Sequence, residues 1–356
     1  MISLNPGDRI YKYSLDRRID RGEGRFGQVW IAQDMTVQQD VALKVLDASF
    51  TPAVRLLEEA RIGNRLDHPN LLKILYADVA DYKGTVLTLI AQEYHPRGSV
   101  SGLLNSEGFA PITEVISHGI DILRGLEHLH HQGILHNDIK PSNVLINERG
   151  GALLTDYGIS AWMATSGLTL ASNSYRPHAA PETSSSSTIS ERTDIYQTGL
   201  TLFRLINGIS LVQADFMTDP VAFQSAQAKG RLPNPDDYQP FVPPSVRRII
   251  TRATKPNASD RYPNALAFRR ALERLNLRGS WDVDVNGEYV GEGHNYYYRL
   301  RIEPSKLGKH EVVCIRTKKT SGQDRRIGDF CKKGLTLPEA QRLKRNFMQR
   351  VVELAN

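Results

Sequence analysis

Apolar and polar positions change their spacing twice along this chain. Over residues 10–46 they alternate or run in short apolar blocks between turn residues, so "GQVWIAQD" and "DVALKVLD" read as strands. The next stretch, "AVRLLEEARIGNRLDH", spaces Val54, Leu57, Ala60, Ile62 and Leu66 roughly three or four apart, which predicts a helix. Short strands return around "LLKILYADV" and "GTVLTLIAQEY". Beyond Arg97 the spacing turns helical. "ITEVISHGIDILRGLEHLHHQG" predicts a long helix closed by Gly133 just past its end, and "TDIYQTGLTLFRLINGIS" and "PPSVRRIITRAT" predict two more. A small β-rich lobe therefore precedes a larger α-rich lobe.

The second change falls near "LERLNLRGSWDVDVNG". Four strands are expected from there: "WDVDV", "HNYYYRLRIE", "HEVVCIRTKK" and "RRIGDFCKK". The helix "LPEAQRLKRNFMQRVVELA" follows, with Thr336 as its cap, Pro338 in its first turn, and an apolar stripe of Ala340, Leu343, Phe347, Val351 and Leu354. If the last two strands form a hairpin around a two-residue Gly322-Gln323 turn, Cys314 faces Cys331 across it. There are no internal repeats, and the low-complexity patch "TSSSSTIS" (183–190) reads as an exposed loop.

Composition narrows the class. A chain of 356 residues with 40% hydrophobic and 24% charged residues builds packed cores and divides into two or three domains. No apolar run is long enough to cross a membrane, and the polar N-terminus lacks the apolar stretch of a signal peptide. The two cysteines, Cys314 and Cys331, form no disulfide framework, so a reducing cytoplasm is expected. The net charge of +6 is uneven: residues 280–356 hold 15 Lys+Arg against 10 Asp+Glu, which is +5. Electrostatic attraction thus belongs to the C-terminal piece.

Several polar groups sit where chemistry needs them. Gly22, Gly24 and Gly27 are spaced GxGxxG and followed by Val29, a turn that lets backbone N–H groups approach phosphate oxygens. A strand follows these glycines where the dinucleotide fingerprint needs a helix, and no GxxxxGK[ST] exists. Lys44 ends the apolar run "VALK", and Glu58 and Glu59 lie on the helix after it as candidate ion-pair partners. In "LHNDIKPSNVLI", Asp138, Lys140 and Asn143 are a candidate base, charge stabiliser and oxygen ligand. Asp156 of "LLTDYG" leaves the next strand, and an amide oxygen with a carboxylate suits Mg²⁺. Singly, each of these residues is most often a solvated surface group; their order along the chain is what carries weight.

Together these motifs resemble the eukaryotic-like (Hanks-type) serine/threonine protein kinase family, over residues from about 12 to 277. The resemblance implies an α+β bilobal protein-kinase fold at 10–278, with an N-lobe of about 10–93 and a C-lobe of about 96–278; the strand and helix pattern read above adds a small C-terminal ββββα domain at 280–356. It implies an ATP-dependent transfer of phosphate to protein serine or threonine, with autophosphorylation, and Mg²⁺ (or Mn²⁺) as the metal. Residue by residue, Gly22, Gly24, Gly27, Val29 and Ala42 would surround ATP, Lys44 would anchor its phosphates, and Glu59 would pair with Lys44. Gln92 would be the gatekeeper, with Glu93 to His95 facing adenine. Asp138 would be the base, Lys140 the γ-phosphate contact, and Asn143 and Asp156 the metal ligands. Glu182 of "AAPE" would pair with Arg261, and Asp194 and Gly199 belong to the helix supporting the catalytic loop.

Three departures stand out. Asn137 replaces the arginine that contacts a phosphorylated activation loop, which points to activity without that switch. Tyr157 replaces phenylalanine in "DYG", and its hydroxyl needs a partner if buried. "NSYRPHAAPE" lacks the usual Gly-Thr, and Thr165, Ser166, Thr169, Ser172 and Ser174 before it are candidate autophosphorylation sites.

The 280–356 piece lies outside the resemblance. Arg316, Lys318, Lys319, Arg325, Arg326, Lys332 and Lys333 concentrate on its hairpin, so an acidic protein surface or a nucleic acid is the expected ligand of a docking or regulatory domain, though charged edges also serve to discourage aggregation. The tyrosines of "YYY" (296–298) either stack bases or enter the core. Rival readings are a pseudokinase scaffold, opposed by the presence of Lys44, Asp138 and Asp156, and a small-molecule phosphotransferase, opposed by the activation segment and the Glu182–Arg261 match.

Overall fold

In strand β4 (Gln39–Asp47) alternate side chains separate onto two faces, as a period of two requires. Val41, Leu43 and Val45 join Trp30, Ala32, Leu87, Leu89 and Ala91 in one buried cluster, while Leu46 packs with Ala60, Ile74 and Ile90 in another. The strand thus has core on both sides and sits inside an antiparallel sheet ordered β1-β2-β3-β4-β6-β5. Its partners are β1 (Arg9–Ile10), β2 (Tyr13–Arg18), β3 (Gly27–Asp34), β5 (Ile74–Tyr82) and β6 (Thr85–Glu93). Leu57, Ala60, Arg61 and residues 63–65 are helical, as the sequence spacing predicts. The structure, a computed structural model, describes residues 2–19, 27–47, 57, 60–61, 63–157, 161–162, 169–170, 176–185, 188–285 and 287–354.

The α-rich lobe is built on the helix Ile112–His131, which ends before Gln132 and a left-handed Gly133 (φ 73°). Its buried side is Ile112, Val115, Ile116, Ile122, Leu123, Leu126 and Leu129. It packs against the helices Glu191–Asn207 and Ala265–Glu273. Two short ladders join the core of this lobe: β7 (Ile134–Leu135) pairs with β10 (Ala161–Trp162), and β8 (Val144–Ile146) with β9 (Ala152–Leu154). The described ends of the patch 183–190 carry regular structure, where an exposed loop is expected. The helix Pro181–Ser185 enters it, and β12 (Thr188–Ile189) pairs with β11 (Thr169–Leu170). Ser190 then caps the next helix in a reciprocal box with Thr193.

Among the described residues the C-terminal region has six strands where four are expected: β13 (Ser280–Val283), β14 (Tyr289–Glu292), β15 (Tyr296–Pro304), β16 (His310–Lys318), β17 (Asp324–Arg326) and β18 (Lys332–Leu335). "RRIGDFCKK" is broken by the 3₁₀ turn Gly328–Phe330. The hairpin register also differs from expectation, because Thr317 faces Asp324 and Arg316 faces Arg325. Gly322 takes φ 66° at the end of a longer loop, where its N–H donates to the Lys318 carbonyl at 2.8 Å, in place of opening a two-residue turn. Thr317 Oγ1 donates to Asp324 at 2.6 Å and locks that register. Cys331 nevertheless reaches Cys314, because the 3₁₀ turn brings it back: its Sγ lies 3.3 Å from both the N and the O of Cys314.

The helix Leu337–Leu354 covers one face of this sheet, and Glu339 reaches back to the Thr336 N–H at 2.8 Å. Ala340, Phe347 and Val351 are buried as expected, but Met348 and Val352 join them and Leu354 is exposed. The buried face is continuous with the core of the α-rich lobe, since Trp281, Tyr298, Leu300 and Val312 belong to the same cluster as Phe109, Phe241 and Val242. Asn105 Nδ2 donates to Asp282 at 2.7 Å, and Gln349 Nε2 donates to the Val242 carbonyl at 3.1 Å.

Trp281 is fully buried, packs edge-on to Phe347 and donates its indole N–H to the Met348 carbonyl at 2.9 Å. Trp281→Ala is expected to cost about 3–5 kcal/mol, as for large core truncations. Urea unfolding measures this, and a loss below about 1 kcal/mol contradicts the shared core.

Candidate active site

The loop between β7 and β8 carries Asp138, Lys140 and Asn143, and its backbone hangs on one carboxylate. Asp194, fully buried in the first turn of the helix Glu191–Asn207, accepts from the His136 N–H at 3.0 Å and the Asn137 N–H at 2.7 Å. The His130 ring lies 2.8 Å from the same carboxylate. Gln197, one turn on, accepts from the Ile139 N–H and donates to the Asn137 carbonyl, both at 3.0 Å. Asn137 is thereby held at φ 58°, a left-handed conformation that a side chain rarely adopts unaided.

That backbone turns the three side chains toward one another. Lys140 Nζ donates to Asp138 Oδ2 at 2.7 Å, and Asn143 Nδ2 donates to the same oxygen at 2.9 Å. Asn143 Nδ2 also donates to the Asp138 carbonyl at 2.9 Å, and the Asn143 carbonyl accepts from the Thr155 N–H at 3.0 Å. This last bond brings Asp156 beside the loop. Asp156 sits at φ 59°, and its carboxylate receives Lys44 Nζ at 2.8 Å. Lys44, with help from His136 and Lys140, holds the Asp156 carboxyl below its usual pKa against the opposing effect of burial. The positive charges of both lobes therefore act on one carboxylate.

The other residues expected to surround ATP, where described, lie on or next to the same sheet as Lys44. Lys44 lies opposite Val29 on β3 and Ile90 on β6, and Ala42 lies opposite Gln92. Gly27 begins β3 where any Cβ would come within 2.4 Å of the Val45 carbonyl, so a larger residue does not fit. Glu93 ends β6, and its carboxylate lies 3.8 Å from His95 Nε2. Burial lowers the His95 pKa against the opposing pull of Glu93. Tyr157 is buried, and its hydroxyl donates to the Leu72 carbonyl, the partner that its position demands. Gly22, Gly24, Glu58, Glu59, Thr165, Ser166, Ser172 and Ser174 lie outside the described residues.

Glu182 and Arg261 meet in a two-pronged ion pair of 2.8 and 2.7 Å. Arg261 is buried, and its remaining donors reach the carbonyls of Lys255, Arg192 and Pro256. Such a pair fixes position strongly, because removing one partner strands the other charge.

A family model described as the protein kinase domain matches residues 13–270. The chain belongs to the protein kinase domain family. It is 29% identical over 269 residues to the serine/threonine-protein kinase PksC of Streptomyces coelicolor, covering 71% of this chain and 47% of that protein. It is 30% identical over 280 residues to the DNA damage-responsive serine/threonine-protein kinase RqkA of Deinococcus radiodurans, covering 76% and 40%. It is 28% identical over 266 residues to the serine/threonine-protein kinase PrkC of Bacillus subtilis, covering 73% and 40%. The chain thus spans less than half the length of these relatives. The bilobal α+β kinase fold expected from the motifs is the fold observed. Among the described residues no helix is long and apolar enough to cross a membrane.

Sequence reading missed two parts of this site. It did not place His130 on Asp194, although a histidine near the end of a helix is a usable signal. It also saw in "RPHAAPE" only the missing Gly-Thr, whereas His178 is fully buried against the catalytic loop.

The Lys44–Asp156 pair has a pH signature. Its carboxyl pKa is lowered in the folded state from the ordinary 3.8, so the pair contributes stability above about pH 4 and loses it as pH falls through the folded value. The stability difference between the parent and Asp156→Asn should stay constant from about pH 7 to 5 and shrink below about pH 4. Urea midpoints at each pH test this; a difference undiminished at about pH 3 contradicts it.

Proposed function

We propose that this chain is an ATP-dependent serine/threonine protein kinase. The observation that carries the reading is the single cluster formed by Asp138, Lys140 and Asn143 with Asp156 and Lys44. In it Asp138, a carboxylate suited to a hydroxyl proton, lies beside Lys140, while a second lysine suited to phosphate, Lys44, meets Asp156. Asp138, aimed by two donors on Oδ2, orients the substrate hydroxyl and receives its proton. Lys140 places a positive charge where the transferred phosphoryl group gains negative charge. Lys44 contacts the phosphates of ATP, and Val29, Ala42 and the Glu93–His95 segment hold the adenine. Glu59, Gly22 and Gly24 complete the site as its ion-pair partner and phosphate loop. Positioning and charge account for the rate, and no covalent intermediate on the protein is required.

The donor set fits a hard divalent cation. Asn143 supplies an amide oxygen, and Asp156 a carboxylate kept ionised by Lys44. Mg²⁺, or Mn²⁺ in its place, would neutralise phosphate charge there.

The acceptor we propose is a protein, including the chain itself at Thr165, Ser166, Thr169, Ser172 or Ser174. Two free cysteines support a cytoplasmic setting. The 280–356 domain acts as a docking or regulatory attachment. An acidic protein surface suits it better than a nucleic acid, because the rings that could stack bases are engaged. Tyr298 is buried, Arg316 lies over Tyr296, and Lys319 lies over Tyr297 while pairing with Glu292.

Purified protein with ATP and Mg²⁺ should yield phosphoserine or phosphothreonine by mass spectrometry. Asp138→Asn should lower the rate about 10²–10⁴-fold while ATP binding persists. ATP binding without any transfer by the parent, to itself or to generic acceptors, contradicts the proposal.

A further inference from the structure

The buried pair His178–Arg204 lies directly behind the catalytic loop and has no place in the mechanism above. His178 is fully buried at the start of the stretch leading to Glu182. Its Nδ1 is 3.0 Å from the Ile139 carbonyl, and its Nε2 is 2.6 Å from Arg204 Nη1. Arg204 is almost fully buried and also donates through Nε to the Ile209 carbonyl at 2.7 Å. Ile139 is the residue between Asp138 and Lys140.

These contacts settle the ring's state. A guanidinium can only donate, so Nε2 must present a lone pair to Arg204. Nδ1 then carries the proton and donates to the Ile139 carbonyl, which can only accept. The imidazole is neutral, in agreement with a pKa pushed well below the usual value, first by burial and then by Arg204. The tautomer is thus chosen by its two partners.

The Ile139 peptide is consequently gripped at both ends. Gln197 takes its N–H at 3.0 Å, while His178 and Thr201 Oγ1, at 3.3 Å, hold its carbonyl. On the other side of His178 the chain is also anchored, because Gln227 Nε2 donates to the Ala179 carbonyl at 2.8 Å and Glu182 is clamped by Arg261. Asn137 brings no cation to this region. The link between the end of the activation segment and the catalytic loop therefore runs through an uncharged ring.

We propose that His178 is a positioning residue for phosphoryl transfer: held by Arg204, it fixes the Ile139 carbonyl and so the relative placement of Asp138 and Lys140, with no phosphate needed. This rests on the kinase reading. It acts on the chemical step and leaves the nucleotide site alone, so kcat and KM should separate.

The test compares the parent with His178→Phe, which fills the space without hydrogen bonds, and His178→Gln, whose amide can donate to Ile139 and accept from Arg204. The expected result, per folded molecule, is a kcat about 10–100-fold lower for His178→Phe, with KM for ATP within about threefold and kcat largely restored in His178→Gln. Equal kcat for the parent and His178→Phe overturns the proposal, as does a loss in His178→Gln as deep as in His178→Phe. Should the variants not fold, nitrogen NMR of the parent decides: a neutral Nδ1–H tautomer at about pH 7 supports the arrangement, and an Nε2–H tautomer or a protonated ring overturns it. A parent that transfers no phosphate but shows the Nδ1–H tautomer refutes the kinase reading and the proposed role with it, while leaving the geometry in place.

Discussion

One buried carboxylate holds the rest of this site together. Asp194 has no access to solvent, and it takes two successive backbone N–H groups of the loop that carries Asp138 together with the His130 ring. A buried charge without such donors is costly, so helix and loop must come together for either to be stable. The same bonds hold Asn137 in a left-handed conformation, which turns the chain just before Asp138. Lys140 and Asn143 then converge on one oxygen of Asp138 because the loop allows them little else.

The anchors themselves are immobilised by packing. The helix that carries Asp194 is buried along nearly its whole length, and the Ile112–His131 helix beside it carries His130. Further out, the C-terminal domain adds its sheet and helix to the same core through Trp281, Phe347 and Val352. It shares this core although it lies beyond the matched residues 13–270. Across the cleft, β4 offers Lys44 from a strand with core on both faces, so that cation too is held by its neighbours.

Much of this was legible in the sequence. The strand "GQVWIAQD" coincides with β3, and the long helix stops just before Gly133, because a period and a stop signal are local properties. Asp138, Lys140 and Asn143 meet because fixed offsets along one loop translate into fixed offsets in space, and the Asn143–Thr155 backbone bond sets Asp156 beside them. Long-range facts were not. The hairpin register around Gly322 depended on whether that glycine opens or closes the turn, and the Thr317–Asp324 bond chose the second. Strand β14 escaped notice because "YVGE" is short and has a glycine in it. His178 and Arg204 are 26 residues apart, and nothing local joins a histidine in an irregular stretch to an arginine inside an apolar helix.

The measurement that most directly tests this account is phosphate transfer by Asp194→Asn, read beside nucleotide affinity. An amide keeps the shape of the side chain but loses the charge and presents donors to the donors it must bind. The account predicts that transfer falls about a hundredfold or more, while the affinity for ATP changes by less than about threefold, since Lys44 and the β-sheet lobe are untouched. A folded Asp194→Asn protein that transfers phosphate at the parent's rate would show that the catalytic loop holds its geometry without this carboxylate, and would contradict the central claim.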